Sequence, residues 1–200
     1  SRSAEELSTE AEEMGAQIHA SSDMDTSFVS LSALAAELPQ SLELFADVVR
    51  NSSFAEDEIE RVRTLKLAQI VQEKSEPASI ALRNLPPMLF GDEHPYAIPM
   101  TGSGTEAAVE KINRDDLVAF KNAWLRADNA KLFVVGDTTM ADVLPLLNKS
   151  FGSWKAPHES RGRKSFHDVP LADKSRVVIV DKPGSPQSMI IAGHIIEPSA

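Results

Sequence analysis

The sequence predicts an α/β chain of the α+β kind, with a mostly antiparallel sheet and helices packed on one face. Three observations point there. Residues 16–22 and 27–34 read as strands on either side of a Ser-Ser-Asp-Met-Asp stretch suited to a hairpin turn. The second strand carries apolar side chains on both faces, Phe28 and Leu34 on one and Val29, Leu31 and Ala33 on the other. Most of the remaining chain places apolar residues at helical spacing.

The elements follow in order. Ser3 is positioned to cap a first helix, with Glu6 in the capping-box position and Gly15 as the stop. Leu7, Ala11 and Met14 form its inner face. After the strand pair, Pro39 opens a helix to Val49 with Leu42, Phe45, Ala46 and Val49 on one side. A long helix is expected over 55–74, its acidic first turn (Glu56, Asp57, Glu58) complementing the helix dipole. Another is expected over 78–85, ended by Pro86-Pro87. Residues 90–105 form a long Gly- and Pro-containing loop, after which Thr105 caps a short helix at Glu106. A helix over 113–125 turns Leu117, Phe120 and Trp124 inward, a short buried strand covers 131–135, and a last helix covers 140–151.

The domain organisation expected is one domain over 1–154, a linker over 155–174 and the opening strands of a following domain over 175–200. The linker contains two Pro, several basic residues and little apolar periodicity. Beyond it, 176–180 and 188–196 read as strands around Pro183-Gly184, and two strands alone are marginal in water.

Composition narrows the function classes. The 42% apolar and 25% charged content is that of an ordinary globular protein. A net charge of -10 repels phosphate backbones and anionic lipid, which argues against nucleic-acid binding. No apolar run approaches the roughly 20 residues a membrane span needs, so no membrane insertion is expected. The absence of cysteine excludes disulfides, thiolate metal sites and cysteine nucleophiles, and it leaves the compartment open. The N-terminus is no signal peptide, and without an initiator Met it suggests a processed or excised segment.

Candidate chemistry is sparse. The five histidines, His19, His94, His158, His167 and His194, include no pair at the four-residue spacing of a helical zinc site. Glu93-His94 precedes Pro95 and reads as a packed loop with a satisfied imidazole. Gly102-Ser103-Gly104 lacks the Lys-Ser/Thr ending of a phosphate loop, so its glycines are read as serving a tight turn. No Gly-x-Ser-x-Gly elbow is present. On the long helix, Gln69 and Glu73 lie four apart and share a face.

Several segments in order carry a resemblance. They are Glu12-Glu13-Met14-Gly15-Ala16, Leu42-Glu43-Leu44-Phe45-Ala46-Asp47-Val48-Val49 and Phe54-Ala55-Glu56-Asp57-Glu58-Ile59-Glu60-Arg61. His94-Pro95-Tyr96, Ile112-Asn113-Arg114-Asp115-Asp116-Leu117 and Val134-Val135-Gly136-Asp137 continue the series. Together these are similar to the insulinase/pitrilysin family of inverted-zincin metallopeptidases, over about residues 1–155, with 175–200 resembling the start of the next domain.

The resemblance implies a metallopeptidase-half fold and a set of roles. In that family a His-x-x-Glu-His helix supplies two zinc ligands and the water-activating Glu, and a later Glu completes the site. The first motif would lie upstream of Ser1. The later Glu falls nine residues after Glu60 of Glu60-Arg61, where this sequence has Gln69. The resemblance therefore implies the non-catalytic half of a zinc metallopeptidase, with no catalytic, cofactor or metal residue in this segment. Zinc is expected in the catalytic half, which is either part of the same chain or a separate subunit. The role implied is to close the substrate chamber around a peptide and to support the catalytic half. Two alternatives stay open: a structural subunit like the core subunits of the respiratory bc1 complex, or an active subunit using Glu73 as ligand. Bacterial relatives of this type are often exported, which makes the periplasm the compartment implied, with the cytoplasm also open.

Overall fold

The structure, a computed structural model, describes residues 2–196. Its helices are α1 (Ala4–Glu13), α2 (Leu38–Arg50), α3 (Glu56–Glu73), α4 (Pro77–Phe90), α5 (Glu106–Lys111), α6 (Arg114–Trp124) and α7 (Met140–Phe151). Two strands, β1 (Gln17–Ser22) and β2 (Ser27–Ser32), pair antiparallel. The chain is thus α+β, and it divides into two compact units.

The first unit comprises residues 1–55 and 114–162. Its opening helix starts where the sequence places it. Ser3 Oγ accepts from the Glu6 N–H at 3.1 Å, and Glu6 Oε2 accepts from the Ser3 N–H at 2.7 Å, so two otherwise orphaned donors are satisfied reciprocally. Gly15, at φ +61°, then turns the chain into β1 through a conformation that costs glycine little. The hairpin runs in register from Gln17 opposite Ser32 to Ser22 opposite Ser27. Asp23 builds its turn, with Oδ1 accepting from the N–H groups of Asp25 at 2.8 Å and Thr26 at 2.7 Å.

Leu42, Leu44, Phe45 and Ala46 of α2 are buried together with Val143 of α7, and Phe45 meets Phe151 edge-on at 6.0 Å. Basic side chains satisfy carbonyls at two helix ends. Arg50 Nη1 donates to Ser150 O at 2.5 Å in the last turn of α7, and Lys121 Nζ donates to Arg50 O at 2.7 Å at the end of α2. Burial holds Lys121 below the ordinary lysine range. Arg126, itself buried, donates to the carbonyls of Pro157 and Glu159 and to the carboxylate of Asp128, fixing the chain after α7.

The second unit comprises residues 56–113 and 163–200. Arg63 ties α3 to α5 by donating to the carbonyls of Val109 and Ile112. A 3-10 turn over Pro95–Ala97 lies against α4 through an aromatic group. There the His94 ring stacks on Phe90 at 5.1 Å and on Phe166 at 6.0 Å, with Tyr96 edge-on to Phe90. The segment after 163 reaches α4 at Gly193, where an added Cβ would stand 3.3 Å from a Leu85 methyl. Arg176 donates to the carbonyl of Met88.

Two expectations need correction. Pro86-Pro87 does not end α4, which continues to Phe90. A proline inside a helix leaves the carbonyl four residues earlier without its usual donor. Here that carbonyl belongs to Leu82, and the N–H of Met100 donates to it at 3.1 Å. The second correction concerns the strands. Residues 131–135, 176–180 and 188–196 form no ladder, and β1 and β2 make the one sheet among the described residues. Period-2 or fully apolar composition suits a strand only when another edge is available to pair with it. Val135, Val177 and Ile190 are each at least nine-tenths exposed, which is the state of strand-like sequence without such an edge. The last four residues expected in the following domain, 197–200, lie outside the described residues.

Candidate functional site

The residues singled out on the long helix converge with Arg83, which the sequence does not single out, and with Ser103 of the Gly102-Ser103-Gly104 turn. Glu73 ends α3, and at this last turn it points inward; its side chain is 10% exposed. Arg83 projects from the middle of α4 and is also 10% exposed. It is the sole charged residue in that helix, which is the one sequence signal that it requires a buried partner. Its Nη1 donates to Glu73 Oε2 at 2.7 Å.

Residues 99–105 complete the site. Gly102 and Gly104, both at φ +73°, turn the backbone so that Ser103 faces inward, where it is buried. Ser103 Oγ donates to Glu73 Oε2 at 2.6 Å and accepts from Arg83 Nη1 at 2.6 Å. Arg83 Nη2 donates to the Gly104 carbonyl at 2.9 Å, and the Thr101 hydroxyl lies 2.9 Å from that of Ser103. The tight turn expected at Gly102-Ser103-Gly104 is present, as is the Thr105 cap, whose Oγ1 accepts from the Ala108 N–H at 3.2 Å. The inward role of Ser103 had no sequence signal.

Gln69 stands one turn before Glu73 on α3. Its Nε2 donates to Glu73 Oε1 at 2.8 Å, and its Oε1 accepts from Lys66 Nζ at 3.1 Å. Both ends of the amide are therefore engaged, and so are both oxygens of the Glu73 carboxylate. Burial alone would push the Glu73 carboxyl up. The hydrogen bonds from Ser103, Arg83, Thr101 and Gln69 together outweigh it and hold Glu73 below the ordinary value. The carboxylate is thus a charged, fully coordinated anion at neutral pH.

A zinc ion does not fit these groups. The Gln69 oxygen, the atom that would have to ligate, already faces an ammonium, and the nearest carboxylate is held against a guanidinium. Among the described residues no three His, Asp or Glu side chains converge into a metal-binding group. His94 is buried, with Nδ1 accepting from the Tyr96 N–H at 3.1 Å inside the aromatic group. His19 lies in β1, and His158, His167 and His194 lie outside helices and strands. In the first unit, a shallow cleft of about 270 Å³ is lined by Glu43, Asp47, Arg50 and Lys149, whose charges are of mixed sign. No helix among the described residues is long and apolar enough to cross a membrane.

The chain is 27% identical over 163 residues to the mitochondrial-processing peptidase subunit beta of Bos taurus, covering 79% of this chain and 32% of that protein. It is 26% identical over 155 residues to the cytochrome b-c1 complex subunit 1 of Bos taurus, covering 76% of this chain and 31% of that protein. The chain therefore spans about a third of the length of these relatives. The crystal structure of a peptidase M16 inactive domain from Pseudomonas fluorescens shares the fold at a TM-score of 0.75 and 23% identity, over 85% of this chain and 40% of that one. Residues 111–198 match the model of the peptidase M16 inactive domain, and residues 1–101 match that of insulinase, peptidase family M16. With half of its length under the second match and most of the rest under the first, the chain belongs to the insulinase family of peptidases, M16, and carries its inactive-type domain.

Proposed function

We propose that this chain is the inactive half of a zinc-dependent metallopeptidase, closing the substrate chamber and supporting the catalytic half during peptide hydrolysis. One observation carries the reading. At the position where the family resemblance puts the third zinc ligand, Gln69 offers a neutral amide whose oxygen accepts from Lys66 and whose nitrogen donates to Glu73. Zinc favours anionic or imidazole ligands, so the metal would be held by a catalytic half, in the same chain or in a separate subunit. The net charge of -10 is consistent with a chamber wall that receives basic peptide segments.

The same geometry weighs against an active subunit that uses Glu73, because a metal there would have to displace Arg83 and Ser103 together. A structural subunit remains the second reading. Identity to the b-c1 complex subunit 1 is within one percentage point of that to the processing peptidase subunit, so overall likeness does not separate them.

Peptide hydrolysis by the assembled protein tests the proposal. Gln69→Ala should leave hydrolysis and zinc content at the wild-type level. Loss of both in that variant would contradict the inactive-half reading. Purification within a membrane complex that has no subunit bearing His-x-x-Glu-His would favour the structural reading instead.

A further inference from the structure

We infer that Arg83 is a tethered cation filling an oxygen-lined site, and that its capture by Glu73, Ser103 and Gly104 holds residues 99–105 closed over α3 and α4. The inference rests on the geometry of the second unit and not on the chamber reading.

The guanidinium meets three oxygens of three kinds: a carboxylate at 2.7 Å, a hydroxyl at 2.6 Å and a main-chain carbonyl at 2.9 Å. Carboxylate, hydroxyl and carbonyl oxygens are the ligand set that proteins offer to hard metal ions. Here the cation comes from the chain itself. Arginine keeps its charge at any pH a protein meets, and its planar fork reaches two or more acceptors at once. A dication approaching Glu73 would stand beside that fixed charge in a site almost closed to water, where repulsion is weakly screened.

The contacts also divide the labour of holding the loop. Glu73 belongs to α3 and Arg83 to α4, while Ser103 and Gly104 belong to the loop. Apart from these, the main-chain link from Met100 to Leu82 joins the loop to α4. Removing the guanidinium would leave Glu73 charged, buried and short of its cationic donor, and would strip the Gly104 carbonyl of its side-chain donor. Such a residue positions the loop through its charge and its hydrogen bonds, from a side chain anchored in α4.

Hydrogen exchange read by mass spectrometry, on peptides covering 99–105 in the full chain, tests this. Arg83→Met should speed exchange in that segment by about tenfold or more, the scale expected when a buried pair loses one partner. The paired variant Glu73→Gln/Arg83→Met should still exchange faster than the wild type, because the donors to Ser103 and Gly104 remain missing; full wild-type protection there would assign the effect to an uncompensated Glu73 and overturn the inference. A metal chelator should leave wild-type exchange unchanged. Arg83→Lys, which keeps the charge but loses the two-armed reach to Ser103 and Gly104, should fall between, and it gives a readout if Arg83→Met does not fold. Wild-type exchange in Arg83→Lys and in any folded Arg83→Met, or a chelator opening the loop, would overturn the inference.

Discussion

The main-chain N–H of Met100 donates to the carbonyl of Leu82 at 3.1 Å, which is the acceptor that Pro86 leaves without a helical partner. A helix with two consecutive prolines thus stays intact to Phe90, and the loop that follows it gains an anchor. Replacing Pro86 by Ala restores an N–H able to bond Leu82. The expected outcome is faster exchange of the Met100 amide, measured residue by residue with NMR. An unchanged Met100 amide would show that the anchor does not depend on the proline.

Glu73 makes a signed prediction about pH. Its folded value lies below the 4.5 of an unperturbed Glu, so its contribution to stability is fully present above about 4.5 and is lost as pH falls through the lowered folded value. In urea unfolding between about pH 5 and about pH 3, the wild type should lose more stability than Glu73→Gln, which has no carboxyl to protonate. Equal losses in the two proteins would mean that the buried carboxylate does not contribute in this way.

Gly162 is pressed against Trp124. Its N–H donates to Ala123 O at 2.9 Å, and a Cβ at this position would overlap the indole ring. Gly162→Ala should cost about 1–3 kcal/mol, the usual range for overpacking, and should shift the tryptophan emission. A variant with wild-type stability and spectrum would place the ring elsewhere in solution.

Ser3→Ala removes one half of the α1 capping box. A loss of about 1 kcal/mol in denaturant unfolding is expected, as for other exposed caps. No measurable change would indicate that α1 frays at its first turn.

The sequence made the local features legible where the signal is itself local. Ser3 with Glu6, the acidic start of α3 and the Asp23 turn each depend on residues a few positions apart. The course of α4 was misread because the donor for Leu82 comes from Met100, outside the helix, and no pattern within the helix reveals it. The segments at 131–135, 176–180 and 188–196 have strand composition, but pairing depends on an edge that composition cannot supply. Gln69 was legible by its position in the family pattern, while its bonds to Lys66 and Glu73 were not. Arg83 and Ser103 meet Glu73 across sequence separations of 10 and 30 residues, and only the fold brings them together.

The inactive-half proposal requires that Gln69, at the position the family resemblance gives to the third ligand, hold no metal. Equilibrium dialysis of this chain against zinc, with the bound metal quantified, is the test. No stoichiometric tight binding is expected, since Gln69 and Glu73 both bond to protein partners. One zinc per chain, lost in Gln69→Ala or in Glu73→Ala, would contradict it.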